Sequence, residues 1–188
     1  MDRILFINAC VRENSRTLRL AKRVLNNLDG EVETLNLGEE DIKPLCRETL
    51  EERERLIAKK DYSSDIFKYA RQFLEADVIL IAAPFWDLSF PALLKTYFEL
   101  ITIIDLTLTY ENDKPKGLCK GKKVYYVSTS GSEFLEDFGF NYVKAITKDF
   151  YGIPESKLFY AQNLDIYGSD VEQILEKAEK EIDDYFCD

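Results

Sequence analysis

Residues Asp77–Pro84 read DVILIAAP. Six apolar residues follow one another with no polar alternation, and a proline closes the run. Such a stretch is a strand buried on both faces, the kind found in parallel sheets covered by helices on each side. Upstream, Ile66–Glu75 places Ile66, Phe67, Ala70, Phe73 and Leu74 on one helical face. Downstream, Pro91 suits the first turn of a helix running to about Ile104 through Leu94, Tyr97, Phe98 and Ile101.

The same alternation extends to both ends. Arg3–Ala9, centred on Ile4-Leu5-Phe6-Ile7, is a second buried strand. Ser15–Leu28 follows as a helix, then Glu31–Leu37 as a strand. Gly38–Ser64 is polar and charged, with EERER at 51–55, and reads as a solvated excursion. Lys122–Ser128 and Lys157–Ala161 are further strands, separated by a helix over Asn141–Tyr151. Ser169–Phe186 is a final helix, for which Ser169 and Glu172 predict a capping box. Five strands with helices between them predict an α/β fold with one parallel sheet, order 2-1-3-4-5, in a single domain over residues 1–188.

Composition narrows the function. The chain has 188 residues, 46% of them apolar and 32% charged, with a net charge of -10. That charge disfavours nucleic acid and anionic membranes as partners. No run of about 18 apolar residues exists to span a bilayer, and the N-terminus lacks a signal-peptide pattern, so a cytoplasmic location is expected. Cys10, Cys46, Cys119 and Cys187 are too scattered for a disulfide framework. The chain contains no histidine. Ser-His-Asp and Cys-His hydrolases and zinc sites with histidine ligands are thereby excluded, and no metal is expected. Any enzymatic chemistry is expected to come from a cofactor.

Parallel sheets bind ligands beyond the carboxyl ends of their strands, so three loops carry the interest. The first is Cys10-Val11-Arg12-Glu13-Asn14-Ser15-Arg16-Thr17. A helix N-terminus with hydroxyls and arginines suits an anion, and the absence of GxGxxG and GxxxxGK[ST] suits a terminal monophosphate. Ser15 as a plain helix cap is the competing reading. The second loop is Pro84-Phe85-Trp86-Asp87-Leu88-Ser89-Phe90-Pro91, whose aromatics suit a flat ring or a buried aromatic corner. The third, Ser128-Thr129-Ser130-Gly131-Ser132, offers hydroxyl and N–H donors, or is an ordinary turn. In the strand order above all three meet at the switch point.

The segment Ile79–Tyr110, ILIAAPFWDLSFPALLKTYFELITIIDLTLTY, resembles the flavodoxin-like NAD(P)H oxidoreductases, which include the FMN-dependent NADH-azoreductases and the NAD(P)H quinone reductases. Gly117-Leu118 before Gly121-Lys122-Lys123, Val127–Gly131 and Phe150-Tyr151-Gly152-Ile153 extend the likeness over nearly the whole chain. The resemblance implies a flavodoxin-like fold and bound FMN. It places Ser15, Arg16 and Thr17 at the flavin phosphate with Cys10 close by. It places Pro84, Phe85, Trp86, Asp87 and Leu88 along the isoalloxazine, and Thr129, Ser130, Gly131 and Ser132 at its far edge. It also implies a homodimer, two-electron reduction of a quinone or azo compound by NADH or NADPH in ping-pong fashion, and no catalytic side chain. Two positions depart from the azoreductase pattern: Asp87 stands where those proteins tend to have Asn, and Ser132 where Gly is common. Quinone reductases of the group use a Tyr and a His near the acceptor, and here there is no His. An electron carrier serving a protein partner is the alternative, which the acidic surface suits.

Overall fold

A computed structural model describes residues 1–134 and 136–187. Five strands form one parallel sheet: β1 (Asp2–Asn8), β2 (Gly30–Asn36), β3 (Val78–Ala82), β6 (Lys123–Thr129) and β7 (Glu155–Ala161). Their order is β2-β1-β3-β6-β7, the expected order with the strands renumbered. Two further strands, β4 (Leu108–Glu111) and β5 (Lys114–Gly117), make a separate antiparallel hairpin that the sequence reading missed.

Strand alternation sorts the core into two layers. Leu5, Ile7, Ile79, Ile81, Val124 and Tyr126 face one side, covered by α3 (Lys68–Glu75), α4 (Ala92–Ile101) and α5 (Phe140–Asp149). Phe6, Leu80, Ala82, Tyr125, Val127 and Phe159 face the other, under α1 (Arg16–Asn26) and α6 (Val171–Cys187). Both faces of the central strands are therefore apolar, which is why those strands read as unbroken runs. The Gly38–Ser64 excursion contains α2 (Arg47–Ala58), which buries only Leu56.

Two boundaries differ from expectation for visible reasons. Helix α4 stops at Ile101, because the Thr102 hydroxyl donates to the Phe98 carbonyl at 2.7 Å and the buried Thr107 hydroxyl donates to Ile101 at 2.6 Å. The Phe98 carbonyl thus takes the Thr102 hydroxyl beside the Thr102 amide, and the Ile101 carbonyl takes a hydroxyl where a further turn would bring an amide. Helix α6 does not use the Ser169/Glu172 box. Asp170 accepts the Gln173 amide at 3.0 Å, while Glu172 is drawn away by Arg19, at 2.6 and 2.8 Å. Arg19 also holds Glu179 at 2.7 Å, so ion pairs fasten α1 to α6.

Candidate active site

Backbone pairing continues past the strand ends and gathers the loops. Ala9 donates to Ala82 at 2.8 Å, Ala83 to Val127 at 3.0 Å, Phe85 to Thr129 at 3.0 Å and Ser130 to Ala161 at 3.0 Å. The loops after β1, β3, β6 and β7 consequently border one cavity of about 310 Å³. Its position beyond the carboxyl ends, where connections leave β1 and β3 in opposite directions, is where such sheets bind ligands. A larger groove of about 590 Å³, lined by Arg3, Glu31, Glu33 and Arg71 among others, lies at the opposite edge. Its charged, open walls offer no comparable convergence of loop donors.

Of the residues singled out in the sequence, Cys10, Ser15, Arg16, Thr17, Pro84, Phe85, Trp86, Thr129, Ser130 and Gly131 line the cavity. Asp87, Leu88 and Ser132 are exposed beside it and outside its lining. Ser15 is the N-cap of α1: its Oγ accepts the Leu18 amide at 3.2 Å. Capping uses the oxygen as acceptor and leaves the hydroxyl proton free to donate, so cap and anion ligand are compatible roles. The amides of Arg16 and Thr17, in the first turn, have no intrahelical acceptor and carry the positive end of the helix dipole. The buried Thr17 hydroxyl meets Thr129 Oγ1 at 2.6 Å, tying α1 to β6. The Ser130 hydroxyl closes its own loop on the Ser132 carbonyl.

The second loop is a tight turn. Trp86 and Ser89 exchange two backbone hydrogen bonds, at 3.0 and 2.8 Å, around Asp87 and Leu88. Both central residues are left-handed, with φ of 50° and 65°. The Phe138 amide holds the turn through the Leu88 carbonyl at 3.0 Å. Phe85 stacks on Phe134, ring centroids 4.3 Å apart, and Trp86 is 38% exposed at the mouth. A flat aromatic platform thus stands opposite the donor-rich end.

Burial pushes the Cys10 thiol up to about 11, against a smaller opposing pull from its hydrogen bond with Ser15. It stays protonated at neutral pH and supplies no nucleophile. Among the described residues no cluster could hold a metal ion, and no helix is long and apolar enough to cross a membrane. Sequence reasoning missed Leu164 and Asp165, contributed by the β7–α6 connection. Arg16 reaches both, donating to the Leu164 carbonyl at 3.2 Å and to Asp165 at 2.7 Å. The available signal was that β7, like the other strands, ends in a loop at the binding edge.

The family described as flavodoxin-like fold matches residues 2–186. An FMN-dependent NADH:quinone oxidoreductase of Coprothermobacter proteolyticus is 35% identical, with 96% of each chain aligned. One from Lachnoclostridium phytofermentans is 36% identical over 96% of each. Among solved structures, an azoreductase from Bacillus anthracis superposes with a TM-score of 0.85 at 22% identity, covering 99% of both chains. An FMN-dependent NADH-azoreductase from Bacillus anthracis in complex with FMN gives 0.83 at 22% identity, covering all of this chain and 98% of that one. These structures share the fold, while the full-length relatives above 30% identity and the family match carry the kinship further. The chain belongs to the flavodoxin-like NAD(P)H oxidoreductase family, in the group of the FMN-dependent NADH:quinone oxidoreductases.

Proposed function

We propose that residues 1–188 form one FMN-binding domain that oxidises NADH or NADPH and reduces a quinone or azo compound, in alternating half-reactions at one site. The observation that carries this reading is a cavity lined both by the N-terminus of α1, where the Arg16 and Thr17 amides lack intrahelical acceptors, and by an aromatic turn. Relatives at 35 and 36% identity bear the name FMN-dependent NADH:quinone oxidoreductase.

In this reading the amides of Arg16 and Thr17 and the Ser15 hydroxyl hold the flavin phosphate. Arg16 adds charge. Phe85 and Trp86 flank the isoalloxazine, with Asp87 and Leu88 reaching its edge from the turn. Thr129, Ser130, Gly131 and Ser132 border the ring's polar edge, where N–H donors stabilise the charge that develops on reduction. Cys10 packs beneath the phosphate end as a neutral thiol. FMN, when bound, supplies the two-electron chemistry. No protein side chain need act as nucleophile. Exposed apolar residues at the mouth, Trp86, Leu88 and Phe138, fit a homodimer whose second copy completes the acceptor pocket. A cytoplasmic location accords with four free thiols.

Purified protein is expected to carry FMN at one per chain, released by heat and identified by mass spectrometry. NADH is expected to bleach its absorbance without any partner protein. Absence of flavin, with no uptake of added FMN, would remove this reading. Flavin that NADH fails to bleach would favour the electron carrier.

A further inference from the structure

The cofactor cavity has a wall that the three sequence-predicted loops do not supply. The connection between β7 and α6 lies across the β6–α5 loop through two backbone bonds: Leu164 donates to Ser130 at 3.2 Å and Asp165 to Gly131 at 2.9 Å. Asp165 presses so closely on Gly131 that a Cβ there would sit 2.4 Å from Asp165 Oδ2. A side chain at position 131 would therefore have to push the Asp165 carboxylate aside. Nothing in those contacts involves α1. The link to α1 is one side chain, Arg16, whose Nη1 donates both to the Leu164 carbonyl and to Asp165 Oδ1.

Arg16 has donors to spare. Nη1 carries two protons, and the two acceptors on the β7–α6 loop use them. Nε and the two protons of Nη2 remain for another acceptor. Arg16 also stands in the first turn of α1, beside the amides that receive the phosphate in the proposed function, and both Arg16 and Asp165 line the cavity. We infer that Asp165 is a positioning residue for cofactor binding: it holds the Arg16 guanidinium at the cavity, so that the β7–α6 loop and the flavin phosphate grip one cation from opposite sides. This inference rests on the FMN reading and deepens it.

Two opposing effects act at Asp165. Its carboxylate repels a phosphate, and its grip on Arg16 orders a long side chain before the ligand arrives. The repulsion is weak: the side chain is 70% exposed, so water and salt screen it, and its charge is already matched by Arg16 at 2.7 Å. Ordering a rotamer-rich side chain in advance has the larger effect on binding. The net result is tighter binding of FMN and a loop that senses the phosphate and not the ring.

The test compares FMN with riboflavin, which has the ring and lacks the phosphate, on protein stripped of flavin. Hydrogen exchange at the Leu164 and Asp165 amides is read in each complex, and flavin fluorescence quenching reports binding in the same samples. FMN is expected to slow exchange at both amides about 10-fold more than riboflavin does, as one added charge-assisted hydrogen bond would. Arg16→Gln is expected to erase that difference while quenching still shows FMN bound. Asp165→Asn, which keeps the shape packed on Gly131, is expected to lower the ratio of FMN to riboflavin affinity about 5-fold. Equal protection by both flavins overturns the inference. So does faster exchange with FMN, which would mean that the phosphate takes Arg16 from Asp165, or an affinity ratio that stays level or rises in Asp165→Asn. Quenching without phosphate-specific protection defeats the inference alone and leaves the FMN reading standing. No quenching by either flavin defeats the FMN reading. In that case inorganic phosphate is the probe: protection by phosphate keeps the Arg16 grip as an anion site, and its absence removes it.

Discussion

At the scale of single residues, the site is built from side chains that hold the fold and the ligand together. Ser15 caps α1 through its oxygen, and Thr17 ties α1 to β6 through Thr129. Changing both to Ala is expected to weaken FMN binding, the lost Ser15 donor to the phosphate costing about 1.5–3 kcal/mol. It is also expected to lower stability by about 1 kcal/mol through the missing cap. Fluorescence titration and thermal unfolding separate the two effects, and unchanged affinity would reduce both residues to structural ties. Cys10 gives a prediction of opposite kind. With its thiol pushed up to about 11, only about one molecule in a thousand is thiolate at pH 8. Alkylation by iodoacetamide followed by mass spectrometry should leave Cys10 largely intact at neutral pH. Its reactivity should climb as pH approaches 11, since the thiolate is the nucleophile. Rapid labelling at pH 7 would contradict the burial. Ser15 was legible as the start of a helix because capping depends on neighbours in sequence. The Arg16–Asp165 pair was not, because its partners are 149 positions apart and one of them sits in a loop with no local pattern.

Among the elements, two turns of the same length invite comparison. The β4–β5 hairpin turns through Asn112 and Asp113, with φ of 51° and 60°. The site turns through Asp87 and Leu88, with φ of 50° and 65°. A two-residue turn with both central residues left-handed favours Asn, Asp and Gly, which bear that conformation at low cost. The hairpin obeys this rule, and Leu88 breaks it. Strain kept beside a binding cavity points to a use for the leucine that outweighs its conformational cost. Leu88→Gly is therefore expected to leave the protein as stable as before or up to about 1 kcal/mol more stable, while FMN binding weakens. Chemical denaturation and flavin titration are the two measurements. A large loss of stability with FMN affinity intact would make Leu88 a packing residue. The central strands β1, β3 and β6 were legible in the sequence because burial on both faces leaves a largely unbroken apolar signal. The hairpin was not, because β5 is a four-residue strand, Lys114–Gly117, with two lysines and a proline. What fixes it is tertiary: Gly117 lies so close to Tyr151 and Gly152 that a Cβ would be 2.0 Å from their backbone. Helix α4 was read three residues too long because Ile103 and Ile104 continue the apolar run, while the hydroxyls of Thr102 and Thr107 bond the last carbonyls.

For the molecule as a whole, the sheet brings four loops to a single cavity, and kinetics should follow from that geometry. The nicotinamide donor and a quinone or azo acceptor are both flat and conjugated. Each must reach the same flavin edge, and the aromatic turn with Trp86 at the mouth offers one approach to it. In the function proposed above, donor and acceptor take turns on that one approach. The electrons must then wait on the protein between visits. Such a reaction gives parallel double-reciprocal lines when one substrate is varied at fixed levels of the other, the pattern of two half-reactions through a modified enzyme. Stopped-flow mixing with NADH alone should bleach the bound flavin at least as fast as the enzyme turns over. A quinone or azo dye added afterwards should restore the colour. Because both partners use one approach, Trp86→Ala should slow both halves, and an inert acceptor analogue should compete with NADH for the oxidised protein. Intersecting lines would mean that donor and acceptor are held together, and would overturn the single shared approach.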